Sequence, residues 1–466
     1  MKIHKVAKSC IPSALILASM LVHGQTTKPN ILFILTDDLG YNDLGCYGNS
    51  FYETPNIDKL CKEGMKFNQH YAAAAISSPT RSSIITGKYP ARTHTTEVFN
   101  WGITKVFEKE PLLCEKDTMI NHNQPFLANE IRKQGYKTCM YGKWHIGGIY
   151  PGKTGFDQFV VTDQSTVEGS DANADEFHTT QINKLTTSFI ENCVSNKKPF
   201  FAVVSYHSVH EPIASTTANR VYFEQKGALP EWKKRPKLQN PIYAGMVKDL
   251  DAGVGELLAK LDQLGITDNT IVVFTSDNGG LGERNFPLRA GKSQEWEGGV
   301  RVPLIARWPN SVQAGSTTNH VAVSTDYFPT FVNIAGATVA AGVAPDGESF
   351  LPILLGKNQA DRSSIIFHFP HYRDVDGQSW NRPWSLIRKG DFSYIYHWEG
   401  ELNPNCAVGP NTSNELYDVI SDPGQTKNIV KSNKSKAKEL KAELLNWLKT
   451  NNAQIPSVNP EYIRKD

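Results

Sequence analysis

The chain has 466 residues, 39% of them hydrophobic and 21% charged, with 49 Lys+Arg against 47 Asp+Glu for a net charge of +2. That length exceeds a single compact core and suits one large domain with a smaller one, and the composition is that of a soluble globular protein. The charge balance lacks the basic excess of a nucleic-acid binder, so no nucleic-acid partner is expected.

Lys2, Lys5 and Lys8 precede an apolar stretch from Ile11 to Val22, followed by Gly24 and Gln25. This three-part layout predicts a secretory signal peptide over residues 1–24, and the apolar run is too short to span a membrane. Export to a periplasm or beyond is expected, with no membrane span later in the chain. Cys10 leaves with the signal; Cys46, Cys61, Cys114, Cys139, Cys193 and Cys406 remain. They show no C-x-x-C spacing and read as scattered buried thiols.

Asn30 to Leu35 (NILFIL) is a short continuous apolar run that predicts a buried strand ending at Thr36-Asp37-Asp38. Helices are predicted over Pro55 to Glu63 and Phe126 to Lys133, each closed by a nearby glycine. Strands follow at Lys137 to Tyr141, Phe200 to Tyr206, Ile271 to Thr275 and Val302 to Ala306. Between them, Tyr243 to Leu264 carries Val247, Leu250, Val254, Leu257, Leu258 and Leu261 on one helical face. Asp326 to Ala335 is a further helix. Alternating strands and helices imply an α/β fold, a large, mostly parallel mixed sheet sandwiched by helices. After Leu351 the composition changes, and a smaller α+β part is predicted, with a strand near Leu416 and an amphipathic helix over Lys434 to Thr450. The expected division is a catalytic domain over residues 25–355 and a C-terminal subdomain over 356–466, with a small antiparallel sheet and a terminal helix.

Open parallel sheets place functional groups just beyond the carboxyl ends of their strands. Asp37-Asp38 follows the first strand and Asp277-Asn278 follows the fourth. Four oxygen donors at two such ends suit a hard divalent cation, although Asp and Asn also favour ordinary turns. Lys143 and His145 follow the second strand, and His207 and His210 the third. Four successive strands delivering charged or ligating groups to one edge point to an active site without naming its reaction.

Residues 77 to 87 read Ser-Ser-Pro-Thr-Arg-Ser-Ser-Ile-Ile-Thr-Gly. This resembles the signature of the type I, formylglycine-dependent sulfatase family: Cys or Ser, x-Pro-x-Arg, four residues, then Thr-Gly. PNILFILTDDLG, YGKWHIG, SVHEP, TSDNGG and PLRAGKSQEWEGGVRVP resemble further blocks in the family's order, and the likeness reappears at Glu415 to Asn428. It spans nearly the whole mature chain and implies an alkaline phosphatase-like fold.

The resemblance implies that Ser77 is oxidised to formylglycine by a maturation enzyme, of the radical type that serves Ser-type bacterial members. The resulting geminal diol supplies one hydroxyl for attack and a second that expels sulfate, which an ordinary serine cannot do. Asp37, Asp38, Asp277 and Asn278 would hold calcium, with magnesium the second choice, and Ser77 would contact the same ion. Arg81 would orient the diol, Lys143 and Lys292 would grip sulfate oxygens, His145 would assist the diol's collapse and His210 would protonate the leaving oxygen. His207 takes second place as that acid. Arg289 reads as a structural ion-pair residue, and Thr86-Gly87 and Glu297-Gly298-Gly299 as scaffold.

For the substrate, His368, His371, Arg373, Asn100 and Trp101 mix rings and cations as a sugar site does, and as ordinary packing also does. The expected partner is a sulfated saccharide. Two alternatives stand beside this: a phosphate or phosphonate ester hydrolase of the same superfamily, and a non-catalytic glycan-binding relative if Ser77 is never oxidised.

Overall fold

The computed structural model describes residues 28–99, 110–114, 120–121, 123–162, 178–233, 240–339, 343, 345–360, 362–375, 378–402 and 413–462. The predicted signal peptide, Asn100, Trp101 and Cys406 lie outside these residues.

Eight strands form the central sheet: β1 (Asn30–Thr36), β2 (Met65–Phe67), β3 (Lys137–Gly142), β4 (Gln158–Val161), β5 (Phe200–Ser205), β6 (Thr270–Ser276), β7 (Leu304–Arg307) and β8 (Ser316–Thr318). Their spatial order is β8-β2-β7-β6-β1-β5-β3-β4. β1 lies at the centre, parallel to β5 through Ile31↔Phe201 and to β6 through Ile31↔Ile271. All seven residues of β1 are buried, because helices cover both faces of the sheet. Leu32 and Ile34 enter one core with Leu250, Leu257 and Leu261 of the long helix Pro241–Gln263. Ile31, Phe33 and Leu35 enter the other with Ile84, Ile85, Phe328 and Phe331. The long helix starts where Asn240 accepts hydrogen bonds from the Ile242 and Tyr243 amides, with Pro241 in the first turn.

β7 departs from the parallel rule. It pairs antiparallel with both β6 and β2, and it begins at Leu304 rather than at Val302 as the sequence predicts. Pro303 has no amide hydrogen for the ladder, and the Val302 amide donates to the His70 carbonyl outside the sheet.

A second, four-stranded antiparallel sheet is built from Ile365–Phe369, Trp384–Lys389, Phe392–His397 and Glu415–Asp418. The helix Lys434–Thr450 covers it with Ala437, Leu440, Leu444 and Leu448. A short hairpin, Arg373–Val375 with Gln378–Asn381, forms between the first two of these strands. The two sheets draw on separate lengths of chain, and segments outside the central strands meet the second sheet: Tyr71, Ile76 and Trp296 pack with Phe367, Trp384 and Tyr417.

Leu250 is fully buried between the long helix and β1. Leu250→Ala should lower unfolding free energy by about 2–5 kcal/mol, read from the midpoint of a urea titration at unchanged slope.

Candidate active site and metal centre

Asp37 and Asp38 leave the carboxyl end of β1, and Asp277 and Asn278 that of the neighbouring β6. The parallel register Thr36↔Ser276 therefore brings the two pairs side by side. Asp38 adopts a left-handed backbone, φ 60°, and its amide donates to Asp277 Oδ1 at 3.2 Å. Asn278 Nδ2 donates to Asp38 Oδ1 at 2.7 Å. All four side chains are fully buried.

Ser77 opens the helix Ser77–Thr86, all ten residues of which are buried. Its Oγ lies 3.3 Å from Asp37 Oδ1 and 3.1 Å from Asn278 Oδ1. Arg81 is one helical turn further on, so it stands over the same face. Its Nε donates to Asp277 Oδ2 at 2.8 Å, and its Nη1 to Ser205 Oγ at 2.7 Å and the Lys143 carbonyl at 2.9 Å. Lys143, just past β3, donates from Nζ to Asp37 Oδ2. Lys292 donates from Nζ to Asp38 Oδ2 at 2.8 Å. His210 Nε2 lies 3.7 Å from that same oxygen.

Charge explains why this interior holds together. Three carboxylates (Asp37, Asp38, Asp277) face three cations (Arg81, Lys143, Lys292), every one of them less than a tenth exposed. Burial alone would raise each carboxyl's pKa, since a desolvated charge is costly. At Asp37 the charges of Lys143, Arg81 and Lys292, with the His210 ring beside them, outweigh burial and hold it well below the usual range. Asp38 is lowered likewise, chiefly by Lys292 against burial. Asp277 is pushed up to about 6, because burial and the Asp37 charge exceed the pull of Arg81.

The donors fit a hard divalent cation. Asp37, Asp38 and His210 each offer a ligand atom, all within 4.8 Å of one another, and the Ser77 and Asn278 oxygens adjoin Asp37 and each other. A cation here would relieve the repulsion that lifts Asp277. Arg81 Nη2 is buried with no hydrogen-bond acceptor and lies 4.0 Å from Asp37, which leaves a donor for a further oxygen carried by residue 77 or by a bound anion.

The histidines divide. His145 has a left-handed backbone, φ 51°, and burial with Lys143 and Arg81 nearby lowers its pKa to about 3, so it is neutral. His207 is likewise lowered to about 3 by burial, and its Nε2 bonds Thr162 Oγ1 at 2.9 Å. His210 Nδ1 bonds the Glu211 carbonyl at 2.5 Å. A carbonyl can only accept, so Nδ1 carries the hydrogen and Nε2 faces the site. His371 Nε2 bonds Thr96 Oγ1 at 2.8 Å, and Arg373 Nη1 donates to Ser293 Oγ at 2.9 Å, next to Lys292. His368 corrects the sugar-site expectation. It is 5% exposed, with Nδ1 on Ser385 Oγ at 2.7 Å and Nε2 on the Gln454 carbonyl at 2.8 Å, so the small sheet's packing uses both nitrogens. Asn100 and Trp101 lie outside the described residues.

Sequence reasoning missed three supports. Ser205 Oγ accepts from Arg81 and donates to the Lys143 carbonyl at 2.6 Å, tying two site residues together. Asn285 clasps the Gly280 amide and carbonyl at 3.0 and 2.7 Å and shapes the loop after Asn278. Asp43 Oδ2 accepts from the Gly40 amide at 2.8 Å and holds the turn after Asp38. Of these, only Asp43, three residues beyond a glycine in a Gly/Asp/Asn-rich segment, carries a local turn signal.

Behind the Lys292 loop lies a buried group of Glu295, His397 and Glu415. His397 Nδ1 is 4.0 Å from Glu295 and its Nε2 is 3.9 Å from Glu415. Burial, helped by the Glu415 charge, pushes Glu295 up to about 8. Burial with Arg289 and Arg382 nearby holds His397 down to about 3.

The sulfatase family model matches residues 29–337, and the C-terminal model of N-sulphoglucosamine sulphohydrolase matches residues 291–454. Human arylsulfatase A is 28% identical over 90% of this chain and 87% of its own length. Canine N-acetylgalactosamine-6-sulfatase is 29% identical over 79% of this chain and 75% of its own. The solved structure of Ps i-CgsB in complex with k-i-k-neocarrahexaose superposes with a TM-score of 0.72, at 26% identity over 94% of this chain and 95% of that one.

Glu295 yields a stability prediction. Its folded pKa lies above its unfolded value, so the stability it contributes is present below about pH 4.5 and lost as pH rises through about 8. Glu295→Gln should abolish that loss. The variant should be more stable than the parent by roughly 5 kcal/mol near pH 9, and the gap should close to under about 1 kcal/mol near pH 5, measured by urea unfolding at both values.

Proposed function

The chain belongs to the sulfatase family and is a sulfuric ester hydrolase; from that premise we propose that it removes sulfate from a sulfated carbohydrate, with Ser77 matured to formylglycine. The observation that carries this reading is the position of Ser77 Oγ, 3.3 Å from Asp37 and 3.1 Å from Asn278, beneath a ring of cations. Asp37, Asp38, Asp277 and Asn278 would hold calcium, which polarises a sulfate oxygen when bound. A matured residue 77 would supply a hydrated aldehyde, whose two hydroxyls allow both attack and release.

The remaining steps belong to the chain's own side chains. Lys143 and Lys292 grip the equatorial sulfate oxygens, where the transition state gathers charge. Arg81, fixed through Nε and Nη1, turns its free Nη2 toward the nucleophilic oxygen. His145, neutral, accepts the proton that residue 77 must lose. His210 Nε2 delivers a proton to the leaving alcohol oxygen as the S–O bond breaks, so the departing group leaves as a neutral hydroxyl.

The charge count favours this reading. Three carboxylates and three cations cancel; a divalent ion then leaves a positive centre ready for an anionic ester. Sugar as the alcohol draws support from the relatives named for sulfated sugars and from Arg373, a cation that feels the charge of both Glu97 and Asp38. His207 would stand second to His210 at the leaving group. We place the division between catalytic domain and C-terminal subdomain near residue 355, and the mature enzyme in the periplasm or outside the cell. No helix among the described residues is long and apolar enough to cross a membrane.

Ser77→Ala should reduce sulfate release from a chromogenic aryl sulfate at least about a thousandfold while circular dichroism and unfolding midpoint stay at parental values. Mass spectrometry of the Ser77 peptide from the native host should give the aldehyde or its hydrate; unmodified serine with no turnover of any sulfate ester would favour a binding role. A matched phosphate ester should turn over far more slowly, and the reverse order would point to a phosphoesterase. Chelation should abolish activity and also lower the thermal midpoint by several degrees, with calcium restoring both better than magnesium.

A further inference from the structure

Lys292 owes its place to residues far along the chain. It lies in the segment Arg289–Glu297, which threads between the two sheets. On the catalytic side, the Lys292 amide donates to the Gly280 carbonyl at 3.0 Å and the Ser293 amide to the Ala75 carbonyl at 2.7 Å. On the other side, the C-terminal part holds the segment at several points. Asn381 Nδ2 donates to the Ser293 carbonyl, and Arg373 Nη1 to Ser293 Oγ at 2.9 Å. Trp296 Nε1 donates to Glu415 Oε2 at 2.9 Å, and the Glu297 amide to Gln425 Oε1 at 2.6 Å.

Ser293 itself is fully buried and has φ 72°. That left-handed backbone is disfavoured for a serine and persists only where the surroundings impose it. Here its amide, carbonyl and hydroxyl are all bound, two of the three by the hairpin Arg373–Asn381. Lys292, the residue before this left-handed turn, reaches Asp38 Oδ2 with its ammonium at 2.8 Å.

We propose that Asn381 and Arg373 are positioning residues, which clamp Ser293 in its left-handed conformation and so aim the Lys292 ammonium at the sulfate-binding corner. The C-terminal hairpin thus belongs to the reaction as well as to substrate choice. This rests on the sulfatase reading, in which Lys292 grips a sulfate oxygen. A lysine displaced by about 1 Å loses much of its hold on the transition state.

The test is a double-substitution cycle on the matured enzyme with an activated aryl sulfate. Asn381→Ala should lower kcat/KM about 10- to 100-fold, mostly in kcat. Asn381→Asp, of the same shape but without the donor, should do the same. In a Lys292→Ala background, Asn381→Ala should cost almost nothing more, because the group it aims is gone. Calorimetric binding of inorganic sulfate to the same four proteins gives a second cycle should turnover of the Lys292→Ala enzyme be too slow to read. Ser293→Gly, which tolerates positive φ and keeps the carbonyl held by Asn381 but loses the hydroxyl held by Arg373, should fold and lose less kcat than Asn381→Ala. Equal losses in both backgrounds, or an Asn381→Ala enzyme with parental kcat, would overturn the clamp. Absence of any sulfate release by the parent would instead overturn the underlying reading.

Discussion

The interior charge balance between Asp37, Asp38 and Asp277 and the cations Arg81, Lys143 and Lys292 is the constraint on which the rest depends. Carboxylates with no solvent exposure are tolerable only if each finds a counter-charge with good geometry. That requirement fixes much of the architecture. Arg81 must stand one turn beyond Ser77, β3 must end beside β5, and the loop carrying Lys292 must return to Asp38. Removing any one partner would strand a buried charge, so the site is also a structural keystone.

The central sheet translates that requirement into geometry. β1 lies between β5 and β6 in parallel register, so three strand ends open on one edge and the residues after them meet without long excursions. The C-terminal part contributes from the opposite side through Arg373 and Asn381 of the hairpin, Glu415 of the small sheet and Gln425. The buried cluster of Tyr71, Trp296, Phe367 and Trp384 joins the two parts through apolar contact.

Much of this was legible in the sequence, for identifiable reasons. Continuous apolar runs such as Asn30 to Leu35 report strands buried on both faces, and polar residues directly after them report the functional edge. Convergence of Asp37, Asp38, Asp277 and Asn278 follows from strand order once the fold is granted. What escaped was set by packing rather than by local pattern. Asn285 and Ser205 act through backbone groups that only the assembled loops bring within reach. His368 looked like a sugar contact because rings and cations crowd that stretch, yet its alternation on a strand turns it inward. The late start of β7 depends on Pro303 and its antiparallel direction on the path back from Asp277, neither of which a hydropathy pattern encodes.

The helix that begins with Ser77 has no solvent-facing residue, and Ser77 itself is 1% exposed. A catalyst large enough to oxidise that side chain could not reach it in the finished protein. On the proposed formylglycine reading, maturation and tertiary collapse would therefore compete in time, and oxidation would have to come first, on a chain still open around the Ser-x-Pro-x-Arg stretch. Rapid folding, ordinarily a virtue, would here lock in an inert serine.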